Sequence, residues 1–281
     1  MRTKDGYVRE HLFEKGFNSL FVHLIPASDF VIIRYATGPI GFLKFNTTIK
    51  EIKSIKNNKI WQTYIAVPEN IDYFIRQKKV GLFRGCLLKS IHRENQKSFI
   101  PTSFVHRIAE FRDLLWKYKM TVFLYGKTLL GWKRECNIIP YATDVELAVL
   151  AEEYNEELIK VLRESKFELY SIFGKPENSL QIVVYVDRIK INLFFVYKDE
   201  HSNKSFVEGM RSATEQRLRW YTPIIEEMCA GSLLGRMIHV PCNDVQVIEA
   251  LYGKKWTEYR STSEYKRNSG IVMEEQKSYV D

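Results

Sequence analysis

An α+β fold is predicted, a mixed sheet flanked by helices with a β-rich region ahead of it, and three stretches of the sequence predict it. Residues 122–125 form an apolar run that ends on Gly126, the pattern of a strand closing on a tight turn. Residues 143–150 return to strand character after the break at Pro140. Residues 180–186 and 189–197 are rich in β-branched and aromatic side chains, and the two-residue break Asp187-Arg188 makes them a hairpin. These strands are expected side by side in one sheet.

Taken in order, residues 17–67 contain four β-prone runs, 19–25, 30–35, 40–45 and 60–67. Pro26, Gly38, Pro39 and Asn57-Asn58 punctuate them as turns. The character changes over residues 69–89, where Ile71, Phe74 and Ile75 lead into Lys78-Lys79, Phe83 and Cys86. Residues 90–98 are mostly polar and suit a linker, which divides the chain into a β-rich region over 1–98 and a second domain over 99–281. Phe104, Ile108, Phe111, Leu115 and Tyr118 recur at helical spacing with Arg107, Glu110, Arg112 and Lys117 opposite, a helix packing its apolar stripe into the core. A second amphipathic helix is expected over 153–165, with Tyr154, Leu158, Val161 and Leu162 inward. A third is expected around Val245, Ile248 and Tyr252, capped by Gly253.

The chemistry-bearing residues lie on the central strand-turn-helix-strand. Gly126 and Thr128 open a short helical stretch, where free backbone N–H groups and the helix dipole favour an anion such as phosphate. With period two, Asp144, Glu146 and Ala148 share one face of the following strand, and Val145, Leu147 and Val149 the other. Two carboxylates projecting together beside a phosphate site are a way to hold Mg²⁺ or Mn²⁺ against a nucleotide diphosphate. On the second hairpin strand Ile189, Ile191, Leu193 and Phe195 share one face, and Lys190 and Asn192 the other.

Composition sets the outer bounds. With 45% hydrophobic and 14% aromatic residues in 281, the chain is a folded globular protein. Its formal net charge of +8 favours anionic ligands. The basic residues are scattered, with no zinc-finger spacing, RNP aromatics or basic helix, so a nucleic-acid partner is not expected. Cys86, Cys136, Cys229 and Cys242 are too few and too spread for a disulfide scaffold or metal knuckle. They are expected as mostly free thiols, one or two bridges remaining open for a luminal protein. No run reaches the roughly 18 to 20 apolar residues of a membrane span, and residues 1–16 lack the apolar core of a signal peptide. The sequons at Asn46 and Asn203 do not settle the compartment.

The central motif resembles that of the fukutin and LicD family of phosphosugar and phosphocholine transferases. The matching residues are Gly126, Thr128, Leu129, Leu130, Gly131, Arg134, Ile139, Pro140, Asp144 and Glu146, with Lys127 inserted after the glycine. Trp132 and Cys136 fit the fukutin-like, nematode-type branch, and Val240-Pro241-Cys242 with Tyr252-Gly253-Lys254-Lys255-Trp256 resembles its closing pattern. The likeness covers roughly residues 104–256. It implies a nucleotidyltransferase-like fold and a metal-dependent transfer of a phosphorylated alditol, of the ribitol 5-phosphate type, from a CDP-activated donor to a glycan hydroxyl. It implies catalytic roles for Asp144, Glu146 and Asn192, metal ligation by Asp144 and Glu146, and donor binding by Gly126, Lys127, Thr128 and Arg134. Lys254, Lys255 and Trp256 are further candidates for a phosphate clamp or base stack, with a packed Trp and solvated lysines the plainer alternative. The resemblance also implies a Golgi lumen location, whereas a chain complete as given, without signal or anchor, would be cytoplasmic. Two departures stand out: Glu146 replaces the family's second Asp, and Asn192 stands where nucleotidyltransferase folds carry a third acid. Asn can offer a carbonyl to a metal but carries no charge and is a poor base. The alternative function is therefore a catalytically impaired nucleotidyltransferase-fold protein that binds or regulates.

Overall fold

A computed structural model describes residues 80–87, 98–209 and 217–258 with their side chains and, elsewhere, the backbone of the strands named below. It forms two compact units, Met1–Arg84 and Gly85–Asp281. In the first unit, β1 (Tyr7–Glu10), β2 (Leu20–His23), β3 (Val31–Tyr35) and β4 (Ile40–Leu43) form an antiparallel sheet in chain order. β5 (Thr47–Lys56) and β6 (Lys59–Pro68) pair as a hairpin across Asn57-Asn58. β5 was not among the expected strands. Its isoleucines, Ile49, Ile52 and Ile55, fall every third residue among Lys, Glu, Thr and Ser, a spacing that hides the two-residue period. The expected linker over 90–98, except for residue 98, and most of 69–89 lie outside the described residues.

The second unit opens with a 3-10 turn at Thr102–Phe104 and helix α1 (Val105–Lys117). Phe104, Ile108, Phe111 and Leu115 of the expected stripe are buried and Tyr118 is half-buried, with Val105 and Trp116 buried beside them. Strand β7 (Phe123–Leu124) leads into helix α2 (Gly126–Glu135), then β8 (Asp144–Leu150), a 3-10 turn at Ala151–Glu153 and helix α3 (Leu158–Arg163). The helix expected over 153–165 is cut to its second half. The Asn155 side chain accepts from Glu157 N–H (2.9 Å) and donates to Tyr118 O (3.3 Å), so the backbone turns there before the helix starts.

The remaining elements are strands β9 (Glu168–Lys175), β10 (Asn178–Val186), β11 (Ile189–Asp199), β12 (Lys204–Arg211), β13 (Gln216–Pro223), β14 (Met228–Leu233) and β15 (Arg236–Pro241), helix α4 (Asp244–Tyr252) and strand β16 (Ile271–Met273). β14 and β15 make a separate two-stranded ribbon, and the other eight strands make one mixed sheet. β11 is its axis. It pairs antiparallel with β10 on one side and parallel with β8 on the other, with Asn192 opposite Glu146 and Lys190 opposite Asp144. From Tyr197 onward it exchanges β8 for β12. The β10–β11 turn uses Asp187 and Arg188 with φ of 50° and 63°, the left-handed pair that matches the twist of a tight hairpin. All of β8 is buried, as befits a strand in a parallel pair with both faces covered.

All four cysteines are bridged, which corrects the expectation of free thiols. Cys86 pairs with Cys136 and Cys229 with Cys242, with Cα atoms 5.3 and 5.0 Å apart. The first bridge exists because Leu87 N–H donates to Lys133 O (2.8 Å) and Lys133 Nζ to Gly85 O (2.9 Å), laying residues 85–87 along the end of α2. The second joins β14 to the residue after β15, where Cys242 N–H donates to Glu227 O (2.9 Å). Neither spacing, 50 nor 13 residues, carries a recognisable signature. Among the described residues, no helix is long and apolar enough to cross a membrane.

Candidate active site at the β7–α2–β8 junction

Gly126 turns the chain from β7 into α2 with φ of 51°, a conformation that costs a side-chain-bearing L-residue about 1–2 kcal/mol. The first turn of α2 thereby lies against β8, and Glu146 is bonded to it three ways. Tyr125 N–H donates to Glu146 O (3.1 Å), Glu146 N–H to Thr128 Oγ1 (2.8 Å), and Lys127 N–H to Glu146 Oε2 (2.5 Å). The anion at this helix N-terminus is thus the protein's own carboxylate. A charge there is worth about 0.3–2 kcal/mol, more when partly buried. The backbone N–H expected to grip phosphate is, at Lys127, already engaged, and the Thr128 hydroxyl accepts from Glu146 in an interior position.

Asp144 is held on both oxygens. Lys127 Nζ lies 2.6 Å from Oδ1, and Asn192 Nδ2 donates to Oδ2 at 2.6 Å. Asn192 Oδ1 in turn faces Gln181 Nε2 at 3.5 Å, a long and weak contact. This order fixes the Asn192 amide, because turning it over would set Oδ1 against Asp144 Oδ2, two acceptors. Asn192 therefore serves here as a donor that clamps Asp144, and its carbonyl points away from it. Gln181 Oε1 is buried with no hydrogen-bond partner, and a Cβ on Gly209 would lie 2.9 Å from it. Glycine at 209 is what leaves Gln181 its place.

Six of the predicted site residues are brought together: Gly126, Lys127, Thr128, Asp144, Glu146 and Asn192. Arg134 is not. It lies seven residues along α2 from Lys127, about 10 Å of helix. It is fully buried, donating to Trp256 O (3.3 Å), Glu258 O (3.4 Å) and Glu135. Trp256 is itself buried, and Lys254 and Lys255 are exposed. Much of the central motif packs. Trp132 is buried, donates to Ser232 O (3.0 Å), and lies where a Cβ on Gly231 would meet it at 2.7 Å. Lys133 makes a buried ion pair with Asp244 (2.9 Å) that ties α2 to α4. Gln181 is the site residue that pattern reading overlooks. The available signal is that it is the one amide in the apolar run Leu180–Val186, across the hairpin from Asn192.

A family model described as LicD/FKTN/FKRP, nucleotidyltransferase domain, matches residues 119–243, the span that holds this cluster. The chain belongs to the fukutin/LicD family. An uncharacterised Caenorhabditis elegans protein is 34% identical over 72% of this chain and 55% of its own length, and a second is 28% identical over 88% and 66%. Human ribitol-5-phosphate transferase FKTN is 32% identical over 74% of this chain and 47% of its own. The chain spans about half to two thirds of the length of these curated relatives.

Proposed function

We propose that this fukutin/LicD-family chain is a glycan-modifying transferase that moves a phosphorylated alditol, of the ribitol 5-phosphate type, from a CDP-activated donor to a glycan hydroxyl. The observation that carries the reading is the Lys127–Asp144–Asn192 and Glu146 cluster, seated at a strand-helix junction within the family-matching span. In such a transfer the acceptor hydroxyl oxygen bonds to the alditol's phosphorus and its proton passes to solvent, the P–O bond to the nucleotide breaks, and CMP leaves with the electron pair. Catalysis of this kind is mostly positioning and charge neutralisation.

The oxygen donors of Asp144 and Glu146 fit one Mg²⁺ or Mn²⁺, with water and donor phosphate completing its shell. Among the described residues, no group of three or more His, Cys, Asp or Glu side chains could hold a metal, which argues against an all-protein cage. Bound there, the cation would neutralise the donor diphosphate and stabilise the leaving CMP. The chain's own residues do the rest. Asn192 holds Asp144 in one orientation, Glu146 is fixed by the first turn of α2, and Lys127 places an ammonium at the mouth of the cluster, its side chain 28% exposed. Two disulfides fit maturation in an oxidising compartment such as the secretory lumen, which supports the Golgi placement.

One observation favours a second reading, a binding or regulatory relative without turnover. Asp144 already has a partner on each oxygen, and the third-acid position carries an uncharged amide. Incubation with Mn²⁺ and a panel of CDP-alditol donors separates the two. Release of CMP that stops with EDTA supports the transferase; nucleotide binding with no CMP from any donor supports the second reading.

A further inference from the structure

Residue 127 touches both carboxylates of the cluster at once, its backbone N–H bonding Glu146 Oε2 (2.5 Å) and its ammonium bonding Asp144 Oδ1 (2.6 Å). Asn192 closes the other oxygen of Asp144 at 2.6 Å. The ammonium arrives from the open side, since the Lys127 side chain is 28% exposed against 11% for Asp144. It also rides on a flexible four-carbon stem, unlike the amide clamp on the inner side.

We infer that Lys127 is the resident counter-cation of this site, which a divalent ion must displace from Asp144, and that the displaced ammonium then pairs with the donor's phosphate. A divalent cation and an ammonium repel each other and compete for the same Asp144 oxygen. Lys127 therefore weakens metal binding in the free protein and keeps two adjacent acids stable without metal. Once moved aside, it remains tethered to the first turn of α2 with its charge free for an anion. Metal and anionic donor then bind with positive coupling, and by linkage each raises the affinity of the other. The inference deepens the transferase reading and rests on the same site, but it concerns the exchange of cations on Asp144 and not turnover.

The test is a Mn²⁺ titration, read by the electron paramagnetic resonance of free Mn²⁺, on the full chain and on Lys127→Met, Lys127→Gln and Lys127→Arg. Lys127→Met and Lys127→Gln are expected to bind Mn²⁺ at least tenfold more tightly than wild type and to melt at a lower temperature in EDTA. Lys127→Arg, which keeps the charge, should stay within about threefold of wild type. With Mn²⁺ saturating, CDP should bind Lys127→Met at least fivefold more weakly. Mn²⁺ affinity unchanged or lower in both neutral variants, each folded by circular dichroism, overturns the inference, as does the absence of Mn²⁺ binding in every protein. Tighter Mn²⁺ in the neutral variants without CMP release by wild type would remove the transferase reading alone.

Discussion

Replacing Asn192 by Asp sets a carboxylate oxygen where an N–H now donates to Asp144 Oδ2 at 2.6 Å, in a site where both residues are more than nine-tenths buried. Two like charges relaxed to about 3 Å at an effective dielectric near 20 repel by about 5 kcal/mol. Lys127 on the far oxygen offsets part of this, and proton uptake by the pair limits the rest, so a net loss of about 3 kcal/mol is expected in EDTA at pH 8. The sign with pH follows from the shared proton. In the folded variant one carboxyl is raised above its unfolded value of about 3.9. Stability is therefore retained below that value and falls as pH rises through the raised one. Urea denaturation of wild type and Asn192→Asp between pH 4 and 8, without metal and with 1 mM-scale Mn²⁺, is the assay. The gap between the proteins should open with rising pH and narrow when Mn²⁺ replaces the lost donor. A variant as stable as wild type at pH 8 in EDTA would refute the clamp on Asp144.

Other outcomes follow from the same geometry. Tyr197 is buried at the β9–β10 turn, where its hydroxyl accepts from Leu180 N–H (2.9 Å) and donates towards Pro176 O (2.9 Å). Tyr197→Phe should cost about 1–3 kcal/mol in urea denaturation, because that buried N–H loses its acceptor. Burial pushes the Tyr197 hydroxyl up to about 12, so its contribution is intact below about pH 10 and is lost as pH rises through 12. Tyr197→Phe should lack that alkaline loss. Protein matured in an oxidising compartment should show no free thiols under denaturing conditions. Cys86→Ser, which opens a 50-residue loop, should cost about 4 kcal/mol by the chain-entropy estimate, read from the same denaturation curves. Gly231→Ala should lower the melting temperature through overpacking of about 1–3 kcal/mol, since the new methyl meets Trp132 at 2.7 Å.

Legibility in the sequence followed the range of the interaction. The strands around residues 123, 144 and 189 carry their period locally, and the common face of Asp144 and Glu146 follows from period two, so these read directly. That these strands share one sheet was expected, but the parallel pairing that sets Asn192 opposite Glu146 is a tertiary fact that local pattern does not carry. The helix N-terminus was legible as an anion site. Its occupant was not, because Glu146 folds back onto Lys127 N–H from 19 residues away. Arg134 illustrates the converse: a basic residue in a phosphate motif suggests a ligand contact, but burial and backbone carbonyls give it a packing role. The cysteine pairs were illegible for the same reason as β11's change of partner, since each depends on how distant segments pack.

In the proposed transferase, Asp144 and Glu146 hold a divalent cation against a nucleotide diphosphate. The most direct measurement is ³¹P NMR of CDP titrated with sub-stoichiometric Mn²⁺ and the protein, comparing wild type with Asp144→Asn and Glu146→Gln. Wild type is expected to add to the paramagnetic broadening of the phosphate resonances seen with Mn²⁺ and CDP alone, and each substitution to abolish the added broadening while leaving the circular dichroism spectrum unchanged. Equal broadening in wild type and both folded variants would contradict it.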